Sequence, residues 1–187
     1  WPCQSDGNLL AIVILSRGKC GLSTCVTRYL VSMAMTDLLV VISDVILTRI
    51  NFLYFPVGFL DLTPVCAFGT FLISTAADSS VWLTVAFTFD RYVIISCKKL
   101  KRQYCTQRMA ALVIGIVCVL TCLSNIPWYF AYEYFFIINN VPWFCKLKES
   151  FNTSSAWAAF NWVDVILVPF IPYLLILLFN VLTIRHI

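Results

Sequence analysis

Charged residues are scarce in this sequence. Only 12% of its 187 residues are Asp, Glu, Lys or Arg, about half of the roughly 25% found in soluble globular domains. Together with 61% hydrophobic residues and a mean hydropathy of +0.89, this scarcity excludes an ordinary soluble domain and argues against intrinsic disorder. The net charge of +4 is too small to indicate a nucleic-acid partner. The composition instead predicts a lipid bilayer as the surroundings.

Histidine is nearly absent, since His186 is the only one. No Cys/His spacing typical of a zinc site occurs. No nucleophile with a base and no pair of carboxylates at an interface indicates an active site. The sequence also lacks an internal repeat and a low-complexity tract. It therefore favours neither a metal cofactor nor an enzyme.

Long apolar runs are abundant. A helix needs about 20 apolar residues to cross a hydrocarbon core about 30 Å thick, and four runs reach that length. A shorter run near the N-terminus fits the inner half of a truncated first helix, or a first helix whose front was replaced by unrelated sequence. A signal peptide is not favoured, because no basic segment precedes this run. The predicted spans are 7–16, 29–50, 65–97, 109–132 and 156–186. Runs this long predict helices and not barrel strands. We expect an all-α membrane protein with one transmembrane domain, residues 1–187, incomplete at both ends.

The basic residues indicate how these spans are oriented. All but three of the thirteen lie between the first and second spans, between the third and fourth, or at inner helix ends. By the positive-inside rule these segments are cytoplasmic, which places the N-terminus outside the cell. The exceptions are Arg49, Lys146 and Lys148. The pattern predicts a multi-pass protein of the plasma membrane.

The same topology sorts most of the nine cysteines. Six fall on the reducing cytoplasmic side or within a span: Cys20, Cys25, Cys97, Cys105, Cys118 and Cys122. Cys66 and Cys145 are clearly external, at the outer end of the third span and in the loop before the fifth. A disulfide between them would hold that loop over the bundle, and two free thiols are the alternative. The loop also carries a glycosylation sequon that begins at Asn152.

Five aspartates lie at membrane depth, where an ionisable side chain is costly and marks a candidate site. They are Asp37, Asp44, Asp78, Asp90 and Asp164. Asp37 and Ser80 lie near the middle of the second and third spans, and Asn8 begins the short first one. A carboxylate with hydroxyl and amide neighbours suits a hydrated monovalent cation or a buried hydrogen-bond network. Polar packing between helices is the alternative.

A charged tripeptide, Asp90-Arg91-Tyr92, lies at the cytoplasmic end of the third span. Arg91 can pair with Asp90, and the pair would open if Asp90 were protonated or Arg91 were offered another acceptor. The alternative is an arginine that snorkels to the membrane interface. Cys66 and Arg91 are 25 residues apart, about 37 Å of helix. One tilted helix can therefore carry the external cysteine and the internal arginine.

Taken in order, these residues resemble the rhodopsin-like (class A) G-protein-coupled receptors. The resemblance rests on Gly7-Asn8 in helix one, residues 33–37 in helix two, Cys66 and Asp90-Arg91-Tyr92 in helix three, Cys145 in the second outer loop, and Pro127 and Pro172 in helices four and five. The stretch 80–92 is similar to a peptide-receptor-like orphan subgroup linked to aromatic amino acids. The resemblance implies a partial seven-transmembrane helix bundle, with helices six and seven beyond Ile187.

A receptor of this kind senses an extracellular small-molecule or peptide ligand and activates a heterotrimeric G protein. The resemblance implies that Arg91 contacts the C-terminal helix of the G protein once Asp90 releases it. The only cofactor implied is an allosteric sodium ion. The residues assigned are Asp90, Arg91 and Tyr92 to the G-protein switch, Asn8, Asp37 and Ser80 to the sodium pocket, and Cys66 and Cys145 to a loop disulfide.

Three positions depart from the pattern of the family. Ile73 stands where amine receptors have an acidic residue, so an amine bound in that way is not expected. Val117 replaces the usual Trp, and Lys98 replaces a common Pro, which weakens expectations for helix-four packing and the second inner loop. Because helices six and seven are missing, we expect the 187 residues alone neither to bind ligand tightly nor to activate a G protein.

The outer halves of the helices supply candidate ligand contacts. They are Asp44, Arg49, Ser74, Ala77, Asp78 and Asp164. Asp78 with Asp164 would hold a cationic amine and Arg49 a carboxylate, which suits a small zwitterion or a peptide terminus. The alternative is that these charges face interhelical water or each other. The rival hypothesis for the whole chain is a fragment of a polytopic transporter or ion channel, against which the missing inverted repeat counts.

Overall fold

The computed structural model describes residues 2–17, 23–54, 58–96 and 106–186. This part of the chain is mostly helical. Four of its helices are long and apolar enough to cross a membrane, namely Thr24–Ile50, Thr63–Ser96, Gln107–Phe130 and Ser155–His186. The predicted fold class, a helical membrane bundle, is confirmed. Several predictions for the cytoplasmic side fall outside the described residues: those on Lys19, Cys20, Cys97, Lys98, Lys99, Lys101, Arg102 and Cys105.

The helices are numbered here in chain order. They are α1 (Pro2–Ser16), α2 (Thr24–Val40), α3 (Asn51–Tyr54), α4 (Thr63–Ser96), α5 (Gln107–Phe130), α6 (Glu149–Thr153), α7 (Ser155–Val165) and α8 (Ile171–His186). The π-helical stretches Val41–Ile50 and Ile166–Phe170 join α2 to α3 and α7 to α8. A 3-10 turn, Phe59–Asp61, precedes α4. Strands β1 (Tyr132–Ile138) and β2 (Val141–Leu147) form an antiparallel hairpin after α5.

Helix α4 is the centre of the bundle and packs against α2, α5, α8 and the hairpin. Its 34 residues give a length of about 51 Å, so both ends extend beyond a hydrocarbon core of about 30 Å. Pro64 lies in the first turn, where its missing N–H breaks no helical hydrogen bond. We call its two ends the Cys66 end and the Arg91 end.

Helix α2 begins at Thr24, before the predicted start of the second span at residue 29. Its first turns include Thr24, Thr27 and Arg28, which interrupt the apolar run, and the Thr27 hydroxyl donates to the Ser23 carbonyl at 3.2 Å. Helix α5 likewise begins at Gln107 because Thr106 caps it, accepting from the Met109 N–H at 3.3 Å. Apolar runs therefore locate the membrane-embedded part of a helix and not its polar first turns.

Most apolar side chains lie on the outer faces of the helices. Leu120 on α5 and Ile184 on α8, for example, are 60% and 72% exposed. Pro172 is buried, whereas most of the other side chains of α8 are exposed. In water a surface of this kind would drive association, whereas in a bilayer it contacts lipid chains. The outer surface therefore agrees with the membrane assignment.

The interior is small and lies where α2, α4 and α5 meet near the Arg91 end. Cys25, Tyr29 and Ala110 form its buried centre, and partly buried Met33, Ala86, Phe87, Val113 and Ile114 surround them. The rings of Tyr29 and Phe87 meet edge to face, with centroids 6.2 Å apart. This cluster fixes the first turns of α2 against the other two helices.

The hairpin occupies a segment for which the sequence predicted only a loop. Asn139 and Asn140 form its turn with positive φ angles of 51° and 61°, which asparagine tolerates better than most residues. Phe144 has a φ of 57°, a strained value for a bulky side chain. A bridge between Leu62 and Trp143 joins β2 to the segment before α4. The hairpin is thereby held against the Cys66 end.

Candidate functional site

At the Cys66 end, a disulfide joins Cys66 on α4 to Cys145 on β2, with a Cα–Cα distance of 6.1 Å. The Thr63 hydroxyl donates to the Phe144 carbonyl at 2.7 Å. A cavity of about 420 Å³ lies beside these contacts, and Ile73 is among its lining residues. The helix end and the hairpin form one tightly connected unit.

A polar pair lies midway along the bundle, between α2 and α4. The Ser80 hydroxyl donates to Asp37 Oδ1 at 2.5 Å. Both side chains line a cavity of about 250 Å³ together with Asp44 and Ala77. Asn8, the third residue of the predicted sodium pocket, forms no hydrogen bond with either of them within the described part of the chain, and its buried Nδ2 has no hydrogen-bond partner there. A carboxylate and a hydroxyl are suitable oxygen ligands for a hard cation, with water completing its shell.

Arg49 is already engaged by a carboxylate. Its guanidinium contacts Asp44 Oδ2 at 2.9 Å, and both residues belong to the π-helical stretch after α2. The pair is partly exposed, with the Arg49 side chain at 59%. A ligand carboxylate would have to compete with Asp44 for this cation or share it.

A buried hydrogen-bond network joins α4 to α5. Asn125 Nδ2 donates to Asp78 Oδ2 at 2.6 Å and to the Thr121 carbonyl at 2.9 Å. The hydroxyls of Ser79 and Thr121 are 2.6 Å apart. Asp78 is 8% exposed and Asn125 only 1%. The amide thus supplies the donor that a desolvated carboxylate needs.

Asp78 and Asp164 line one cavity of about 330 Å³, between α4, α5 and α7. Both carboxylates face this space, so the charge of Asp164 disfavours a charge on Asp78, and the Trp128 side chain lies close to Asp164. The walls are otherwise mainly apolar, and no Lys or Arg of the described segments is among the lining residues. Two carboxylates in an apolar cavity favour a cationic occupant.

The predicted ligand contacts lie in more than one cavity of the structure. Ala77 faces the cavity shared with Asp44 and Asp37, whereas Asp78 faces the cavity shared with Asp164. Successive residues of a helix point about 100° apart, so Ala77 and Asp78 reach different neighbours of α4. Ser74 is half-buried on α4. The amine and carboxylate contacts proposed for a zwitterion therefore lie on different sides of α4.

At the Arg91 end, Asp90 and Arg91 have separate partners. The Cys25 thiol donates to Asp90 Oδ2 at 3.3 Å. The guanidinium carbon of Arg91 lies 4.9 Å from the centre of the Phe87 ring, a cation–π distance. Among the described residues, ion pairs within 4.0 Å join Asp44 to Arg49 and Glu133 to Lys146. The direct pairing expected between Asp90 and Arg91 is not formed, because the two side chains leave the helix in different directions.

Tyr92 connects this end of α4 to α8. Its ring stacks on Phe179 with centroids 6.0 Å apart and lies 6.2 Å from the ring of His186. Phe89 extends the contact, with its centroid 5.2 Å from that of Phe179. The tripeptide thus touches α8 through Tyr92 and α2 through Asp90.

A family model described as 7 transmembrane receptor (rhodopsin family) matches residues 7–187. The chain belongs to this receptor family. A search of curated proteins gave no match, and the narrower resemblance to an orphan subgroup has no support from the comparisons. The rhodopsin-family receptors are multi-pass membrane proteins that in general sense ligands and act on G proteins. The family match does not support the rival hypothesis of a transporter or channel fragment.

Two contacts of this rhodopsin-family receptor were missed in the sequence. Asn125 carried a usable signal, as an amide side chain within an apolar helix that must find a buried partner. The sequence around Cys25 carried no such signal, because a thiol near the start of a helix is equally compatible with simple packing. Its role depends on how α2 is rotated against α4. Asn152, the predicted glycosylation site, lies exposed on α6.

Proposed function

We propose that this receptor senses an extracellular ligand and activates a heterotrimeric G protein through Asp90, Arg91 and Tyr92. In this proposal the Cys66 end of α4 faces outside, with Asn152 glycosylated, and the Arg91 end faces the cytoplasm. The observation that supports it most is the state of Arg91. Its cation rests on an aromatic ring, and no carboxylate of the described segments lies within 4.0 Å of it, so it is ready to accept a new partner.

The guanidinium of Arg91 offers several N–H donors in a fixed plane. Carbonyl oxygens at the C-terminus of a G-protein helix lack partners within that helix, so they would be suitable acceptors. Tyr92 packs on Phe179 of α8, so a displacement of α8 would reach the tripeptide directly. Ligand binding near α7 would in this way affect Arg91 at the other end of the bundle.

The ligand that this receptor would bind has an ammonium group and an apolar body. Asp78 and Asp164 would hold the ammonium, and Trp82 and Leu167, which line the same cavity, would contact the apolar part. An aromatic amine or aromatic amino acid has this chemistry. A carboxylate on the ligand would gain little from Arg49, which is paired with Asp44.

Asp37 and Ser80 would bind an allosteric sodium ion, with Asn8 as an additional ligand only if α1 shifts toward them. The carboxylate and hydroxyl are already in contact, so an ion would insert between them and replace one hydrogen bond by two metal–oxygen contacts. This site would bias the receptor without touching the ligand or the G protein.

The switch is tested with the full-length product of the gene, because the family has seven transmembrane helices. We expect Arg91→Ala to reduce G-protein nucleotide exchange by about tenfold or more, since charge-assisted contacts across an interface are lost. The matched control is Arg108→Ala, which removes an exposed cation near the start of α5. Equal exchange by both variants, at equal amounts in the membrane, would refute the assignment.

The ligand cavity is tested with tryptamine and L-tryptophan as probes, measuring receptor-dependent nucleotide exchange. We expect at least one of them to act and Asp78→Asn to weaken its potency by about tenfold or more, because a buried charge partner is removed. Asp44→Asn, on the other side of α4, is the control. An unchanged potency in Asp78→Asn would end this part of the proposal.

A further inference from the structure

We propose that Cys25 is a positioning residue for the switch, because its thiol holds Asp90 in the resting receptor and leaves Arg91 available. The inference rests on the proposed function of Asp90-Arg91-Tyr92. It adds a residue from α2, outside the tripeptide, that sets how readily the switch opens.

The position of Cys25 is closely defined. Its side chain is 1% exposed and packs with Tyr29 and Ala110 where three helices meet. Arg28, one turn further along α2, donates to the Gln107 carbonyl at 3.3 Å, which ties the start of α2 to the start of α5. Packing between the three helices therefore places the thiol beside Asp90.

Asp90 has few other polar neighbours in the described part of the chain. The small cavity beside it is lined by Tyr29 from α2, Ala86 and Phe89 from α4, and Met109 and Val113 from α5. The charge of Arg91 acts on Asp90 through space from beyond direct pairing distance. A carboxylate in such surroundings depends on each hydrogen-bond donor that it has, and the contacting donor here is the thiol at 3.3 Å.

The chemistry of the donor determines the strength of this contact. A thiol is a weak donor, whereas a hydroxyl is a good one. Serine at position 25 would hold Asp90 more firmly, and alanine would not hold it at all. The two substitutions remove similar volume from the core, so their packing effects are similar while their effects on Asp90 are opposite.

The test measures basal nucleotide exchange of the full-length receptor with purified heterotrimeric G protein in lipid vesicles, normalised to folded receptor. We expect Cys25→Ala to lower the basal rate by about three- to tenfold, because a released Asp90 can pair with Arg91, and Cys25→Ser to raise it. On an Asp90→Asn background the two variants should give the same rate. Cys122→Ala and Cys122→Ser, on the exposed face of α5, should leave the rate unchanged.

Other results would overturn the inference. If both Cys25 variants change the rate in the same direction, or if their difference persists with Asp90→Asn, Cys25 acts only through packing. If Arg91→Ala abolishes exchange while the Cys25 variants do not change it, the switch stands and the role of Cys25 is refuted. If no variant, including Arg91→Ala, affects exchange, the proposed function itself fails. Thermal unfolding of each variant separates these results from misfolding, and Cys25→Ser remains informative if Cys25→Ala does not fold.

Discussion

The two ends of α4 are held in different ways. The Cys66 end has a covalent bond to β2, a hydroxyl–carbonyl hydrogen bond from Thr63 and a strand bridge at Leu62. The Arg91 end has a thiol–carboxylate contact to Cys25 and aromatic contacts from Tyr92. One end is tied by bonds that cost several kcal/mol to break, the other by contacts of about 1 kcal/mol each.

This difference indicates where the receptor can move. A helix that is fixed at one end and lightly held at the other will transmit a change as motion of the lightly held end, because the smaller free-energy barriers lie there. The polar contacts along the middle of α4 are intermediate in strength between the contacts at its two ends. Substitutions at the Cys66 end, in the middle and at the base of the hairpin test this difference in strength.

The largest effect is expected when the covalent tie is removed. Cys66→Ala should lower the free energy of unfolding by about 2–5 kcal/mol and reduce the amount of receptor at the cell surface. Thermal unfolding of detergent-solubilised receptor measures the first effect and surface labelling the second. Cys122→Ala is the control. Unfolding temperatures that agree between the two variants would show that the Cys66 end is not the firmly held one.

The next effect is expected at the middle of the bundle. Asn125→Leu removes the donor to buried Asp78 and should cost about 1–3 kcal/mol of stability, measured by the same unfolding assay. Ser124→Ala removes a neighbouring hydroxyl that bonds only its own helix, at the Thr121 carbonyl, and should cost much less. A Ser124→Ala loss as large as that of Asn125→Leu would contradict the network as a tie between α4 and α5.

A smaller effect on stability is expected when the sodium ion proposed to bind at Asp37 is removed. Replacing sodium by N-methyl-D-glucamine should lower the unfolding temperature of the receptor by about 2–4 °C, because an ion that binds only the folded state stabilises it. Asp37→Asn should abolish this dependence, while Asp44→Asn should retain it. A sodium effect that survives in Asp37→Asn places the ion elsewhere.

The smallest effect is expected at the base of the hairpin. Lys146 contacts Glu133 on the opposite strand at 3.4 Å, and the pair is partly exposed. Lys146→Ala should change the free energy of unfolding by no more than about 1 kcal/mol. A loss comparable with that of Cys66→Ala would show that the ion pair, and not the disulfide, fixes this end.

The sequence predicted the parts of the fold that lipid imposes. Long apolar runs must become helices in a bilayer, because backbone groups have no other partners there. The hairpin was not predicted, although Asn139-Asn140 between two apolar runs is a turn signal. Aromatic and aliphatic residues at 132–147 were interpreted only as part of an outer loop.

The types of residue in the sequence predicted which side chains belong to candidate sites better than they predicted which side chains contact each other. Asp37 and Ser80 were predicted to share a site, and they are hydrogen-bonded. Asp78 was predicted to share a pocket with Ala77 and Arg49 as well as with Asp164, and it lines a cavity with Asp164 and contacts Asn125, whereas Ala77 lines a different cavity. The direction of each side chain depends on helix rotation and packing, which a list of spans does not specify. The contact of Cys25 with Asp90 depends on the same rotations.

The disulfide also has a consequence for synthesis. Cys66 and Cys145 are 79 residues apart, and α4, α5 and the first strand of the hairpin lie between them. The second thiol can reach the first only after both helices have been threaded through the translocation machinery in opposite directions and the hairpin has turned back. If the Cys66 end faces outside as proposed, the oxidised fraction of newly made protein would report how many chains have passed both helices through the membrane.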